Sequence, residues 1–166
     1  MKRFTSPPVL IVCCMDYRYI EAIQAFVKRR LGIATYDLKT DAGGTKALLD
    51  GNAGVRTWML HNIRLAYQRH GVRTVVLVHH EDCAAYGGSS AFKDGAEETA
   101  FHAKQLALAS SLLRATFQRL TVRMFYAHRA SRGIVFAEIV GSHPRRRAAR
   151  RVPACPVGTA DRCTRG

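Results

Sequence analysis

The stretch Thr74-Val75-Val76-Leu77-Val78-His79 decides the fold. It is rich in β-branched residues, shows no polar alternation and is bounded upstream by Gly71, as expected of a strand buried on both faces. Such a strand belongs inside a parallel sheet and needs a helix on either side of that sheet. Upstream, the spacing predicts a helix over 52–70, with Val55, Trp58, Met59, Ile63, Ala66 and Tyr67 inward and Gly71 as its stop. Downstream, a Gly- and Ser-rich loop (87–95) leads to Asp94 and Glu97, a capping box for a helix running to about Phe117. Two more strands fit 121–127 and 134–140, separated by Ser131-Arg132-Gly133. Toward the N-terminus, Val9 to Cys14 reads as a second buried strand, led in by Pro7-Pro8. A helix over 19–31 follows, with Ile20, Ile23, Phe26, Val27 and Leu31 on one face and Gly32 ending it. Ala34 to Lys39 reads as a short strand that runs into the turn Asp41-Ala42-Gly43-Gly44. Strands alternating with helices of this length predict an α/β fold: a three-layer, mostly parallel β-sheet flanked by helices.

The chain has 166 residues, enough for one ordinary domain and too few for two. The regular pattern stops near His143, so we divide the sequence into an α/β domain (1–142) and a basic tail (143–166). Seven of the 26 Lys and Arg residues fall in that tail beside one acid, Asp161; the tail carries +6 of the formal +14. A solvated, poorly ordered terminus is expected there. Nucleic acid is an unlikely partner except through those arginines, since no aromatic residue interleaves them. The Val9–Cys14 run is too short for a signal-peptide core, and no apolar run reaches the ~18 residues of a membrane helix, so a cytoplasmic protein without a membrane partner is expected. Five cysteines (13, 14, 83, 155 and 163), an odd number, argue against a disulfide framework.

Sites in open parallel sheets form at the carboxyl ends of strands. Two strands here end in reactive residues: Cys14-Met15-Asp16-Tyr17-Arg18, and His79-His80-Glu81-Asp82-Cys83. Two thiolates and an imidazole make a good Zn²⁺ set, leaving a fourth tetrahedral position. Cys14, His80 and Cys83 can reach one ion if their strands are neighbours about 4.8 Å apart. His79 and His80 point to opposite faces of an extended segment, so only one can join, and the H-x-x-C spacing favours His80. Cys13 faces away from Cys14 and reads as a core residue. His61, His70, His102 and His128 stand alone, and Cys155 and Cys163 lack a partner motif; none is given a role.

The motif C-x-D-x-R at Cys14, Asp16 and Arg18, followed by H-x-x-C at His80 and Cys83, resembles the β-class carbonic anhydrases. The turn Ala42-Gly43-Gly44 resembles that family's Ala-Gly loop, and the likeness extends over roughly residues 8–140. The stretch H-E-D-C-A-A-Y-G-G is more similar to a divergent branch than to the main enzymes. The resemblance implies a zinc lyase that interconverts carbon dioxide and bicarbonate, and a homodimer or higher oligomer. It also implies roles for Asp16 and Arg18. Asp16 would accept a hydrogen bond from the reacting oxygen, or occupy the fourth zinc position at rest. Arg18 would pair bidentately with Asp16 and hold it off the metal. If the chain is still extended there, residues two apart share a direction, which permits that pairing.

Four positions depart from the family pattern. It usually has a small residue where Tyr17 stands, Gly where His79 and Ala84 stand, and Asn where Asp41 stands. Tyr17 would narrow the pocket mouth, and the Asp41 charge would disfavour bicarbonate. The family's N-terminal helical arm has no counterpart in the roughly eight residues before the first strand. A second reading follows: a zinc-binding, carbonic-anhydrase-like protein without hydratase activity, acting as a binding or regulatory module. A thiol-based redox protein is disfavoured because no C-x-x-C pair is present.

Overall fold

Strand β1 (Val9–Cys14) lies inside a five-stranded sheet, paired in parallel with β2 (Asp37–Asp41) on one side and β3 (Thr74–His80) on the other. The computed structural model describes residues 8–140, so the basic tail, with Cys155 and Cys163, lies outside the described residues. β3 pairs in parallel with β4 (Thr121–Ala130), and β5 (Gly133–Glu138) returns antiparallel to β4, giving the order β2-β1-β3-β4-β5. All six residues of β1 are buried, as are the last six of β3. That is the consequence of helices covering both faces.

The two faces separate the strand residues by parity. On one face Leu10, Val12, Val75 and Leu77 pack beneath α2 (Ala53–Arg69) and α3 (Gly95–Thr116), through Met59, Ile63, Leu106 and Leu113. On the other, Ile11, Cys13, Val76 and Val78 pack against Tyr19, Ile23 and Val27 of α1 (Tyr17–Arg29). The expected three-layer, mostly parallel architecture is the one observed.

Three local expectations shift. The edge strand β2 is Asp37–Asp41, later than 34–39, because its register against Leu10–Cys14 of β1 selects polar residues that local β-propensity would not. Helix α1 starts at Tyr17, before 19, because Asp16 caps it by accepting from Arg18 N at 3.0 Å. On α2, Trp58 is 61% exposed and Val55 also faces outward, while Met59, Ile63 and Ala66 form the buried stripe. Trp58 sits one residue, hence about 100°, away from Met59 around the helix. Asp94 caps α3 through Glu97 N at 2.8 Å, and Glu97 reaches back to Lys93 N, one residue before the cap.

Candidate metal centre

β1 and β3 are adjacent and parallel, so their carboxyl ends bring Cys14 and His80 together, and the turn after β3 returns Cys83 beside them. All three are buried, and one donor atom from each lies within 4.8 Å of the others. The two sulfurs stand 3.9 Å apart. Two thiolates each about 2.3 Å from one tetrahedral ion would be separated by about 3.8 Å, so the spacing suits zinc.

His80 supplies the most telling atom. Its Nδ1 lies 2.7 Å from the backbone carbonyl of Glu81, which accepts the ring proton and leaves the Nε2 lone pair free. That Nε2 is buried and has no hydrogen-bond partner. Tyr19, which the sequence did not single out, stacks on the His80 ring at 4.2 Å between centroids and holds its plane. His102 Nε2 is buried and unpartnered too, but only the open nitrogen of His80 lies beside two thiols, as a ligand set requires. Zinc fits these residues.

Local electrostatics favour thiolate at Cys14. The hydrogen bond from Cys83 pulls the Cys14 thiol far below its ordinary range, helped by His80 and by Gly43 N, which donates to Cys14 Sγ at 3.4 Å. Cys83, keeping the shared proton, is pushed up. Cys13, on the other face, is driven up to about 12 by burial, as suits a core thiol.

The Ala-Gly turn reaches Cys14 because Gly44 permits it. Gly44 has φ +61°, and a Cβ there would lie 3.1 Å from the backbone of both Cys13 and Cys14.

Asp16 borders the cluster, with Oδ2 3.9 Å from His80 Nε2. Arg18 grips its carboxylate through Nε (3.0 and 3.1 Å) and Nη2 (2.6 Å). The pairing forms across the first turn of α1, so the extended chain expected here is replaced by a helix cap. This fork holds the Asp16 carboxyl down to about 2. The other edge of the guanidinium donates to Asp82, from Nη1 to Oδ2 at 2.8 Å and from Nη2 to the carbonyl at 2.9 Å.

Cys14, Met15, Asp16, Tyr17, Arg18, Ala42, Ala84 and Ala85 line an open cleft of about 590 Å³ over this group. Tyr17 stands at its rim, 86% exposed, without plugging it. Asp41 pairs with Lys39 at 3.2 Å and accepts from Ala42 N at 2.9 Å, so its charge is locally compensated. His79 turns away from the cluster, as parity required, and lies 2.6 Å from Thr45 Oγ1 and 3.1 Å from His102 Nδ1. Sequence reasoning gave His102 no role and overlooked Asp82 and Glu98. The only available signal was Glu98 and His102 four apart on one helix.

A family described as "Putative carbonic anhydrase" matches residues 5–133. An uncharacterized protein of Rickettsia conorii is 26% identical over 132 residues, spanning 75% of this chain and 69% of that protein. Among solved structures, the β-carbonic anhydrase CafD of Aspergillus fumigatus superposes with a TM-score of 0.57 at 10% identity, covering 84% of this chain and 92% of that one. A tetrameric β-carbonic anhydrase of Sordaria macrospora gives 0.50 at 16% identity, covering 78% and 80%. Identities this low establish a shared fold.

Proposed function

The chain belongs to this divergent β-carbonic-anhydrase-like family, and from that premise we propose that it interconverts carbon dioxide and bicarbonate at a zinc ion held by Cys14, His80 and Cys83. The observation that carries the reading is the buried, unpartnered His80 Nε2 facing two thiols. Bound there, zinc would supply Lewis-acid activation of a water molecule near neutral pH. The protein's own groups do the rest. Asp16 accepts a hydrogen bond from the attacking oxygen and orients it toward the carbon. Arg18 keeps both Asp16 oxygens engaged, so the carboxylate stays beside the centre without closing it. Ala42, Ala84 and Ala85 give the cleft an apolar wall suited to an uncharged, linear substrate. Association into a dimer or larger assembly belongs to the same reading.

The test is hydration of carbon dioxide by zinc-replete protein. The reading expects a rate that rises with pH through neutrality. No hydration between about pH 7 and 9 would favour a metal-binding module without hydratase activity.

A further inference from the structure

Resting on the reading above, we infer that Glu98 of α3 is a positioning residue that sets Arg18, and through it Asp16, by clamping the turn that carries Asp82. Glu98 is 3% exposed. Its Oε1 accepts from Asp82 N at 2.6 Å and its Oε2 from Ser89 Oγ at 2.8 Å. Ser89 N in turn donates to Asp82 Oδ1 at 3.1 Å, closing a ring of three hydrogen bonds around the turn.

The ring matters because of the backbone it holds. Asp82 has φ +54°, a left-handed conformation uncommon for a non-glycine residue, though Asp is among those that adopt it most readily. In that conformation Asp82 aims both its carboxylate and its carbonyl at Arg18. Without the clamp the turn is free to relax, and both acceptors leave the far edge of the guanidinium. Arg18 would then keep the Asp16 fork alone, and its Nη1 edge would be free. A carboxyl group buried inside the protein is costly unless it is hydrogen-bonded, and Glu98 takes both its hydrogen bonds from this one turn.

Glu98 also faces the other wall of the site. His102 Nε2 lies 3.9 Å from Glu98 Oε1, and His102 Nδ1 faces His79, whose Nε2 meets Thr45 beside the Ala-Gly turn. One arrangement of protons fits the hydrogen-bonded part of the run: Thr45 donates to His79 and His79 to His102, whose Nε2 faces Glu98 beyond hydrogen-bond distance. The turn that donates to Cys14 and the turn that carries Asp82 thus border one buried cluster of polar side chains.

The test needs no metal. In ¹⁵N-labelled protein, exchange of the Arg18 Nη1–H with solvent reports whether Asp82 holds that edge of the guanidinium. Glu98→Ala should speed that exchange at least tenfold, while Glu98→Gln, whose amide oxygen still accepts from Asp82 N, should stay within about threefold of wild type. Should Glu98→Ala fail to fold, Ser89→Ala removes one link of the ring from an exposed position and should speed exchange about threefold. A folded Glu98→Ala protein with unchanged Arg18 protection overturns the proposal, as does unchanged protection in Ser89→Ala. Hydration measured alongside separates the two claims. Lost protection with undiminished turnover leaves the Glu98 clamp standing and shows that the Asp82 edge of Arg18 is not needed for the proposed reaction.

Discussion

Arg18 offers its guanidinium donors to two carboxylates, and the edge facing Asp16 is the one that bears on chemistry. A carboxylate this close to two thiols and an imidazole is itself a competent fourth ligand; the bidentate fork makes it an onlooker. Arg18→Ala should therefore leave zinc bound and lower hydration about 10- to 100-fold, as loss of groups supporting a metal site commonly does. The same variant has a signature in acid. Folding lowers the Asp16 value from 3.8 to about 2, so the pair stabilises the protein fully above pH 4 and loses that contribution as pH falls toward 2. Carboxyl NMR of Arg18→Ala should show Asp16 titrating near 3.8, and a value still near 2 would show that another group holds it. The grouping of Cys14, His80 and Cys83 was legible in the sequence, because strand ends collect sites and because parity separates His79 from His80. Asp82, Glu98 and His102 were not, since their roles exist only once α3 is laid against the turn after β3.

At the scale of elements, the strands whose burial is complete announced themselves, and those defined by their neighbours did not. β1 is apolar throughout and β3 from Val75 to Val78, and both could be read locally. The polar sequence Asp-Leu-Lys-Thr-Asp becomes β2 only by pairing with β1. The turn after β2 gives a further prediction. Gly44 and Gly71 share left-handed φ angles of +61° and +72°, yet a Cβ at Gly44 would press on the backbone of Cys13 and Cys14, whereas one at Gly71 meets nothing within 4 Å. Both alanine variants pay the conformational cost of about 1 kcal/mol. Gly44→Ala should lose at least about 2 kcal/mol and weaken zinc binding as Cys14 is displaced. Equal melting temperatures for the two variants would show that the close approach of the turn to β1 is not needed.

For the molecule as a whole, a doubly covered parallel sheet places its chemistry at one end, where β1 and β3 both finish. Among the described residues no helix is long and apolar enough to cross a membrane. The core, the left-handed Asp82 and the Ala-Gly turn all serve to hold three donor atoms within 4.8 Å of one another beside an open cleft. The central claim is that this cluster is a zinc centre that hydrates carbon dioxide, and the most direct measurement is zinc per chain and hydration rate determined on one preparation. The account predicts about one zinc per chain, with the rate proportional to zinc content, and loss of both in Cys14→Ser and Cys83→Ser. Full zinc occupancy in either serine variant, or stoichiometric zinc in a protein that hydrates no carbon dioxide, would contradict it.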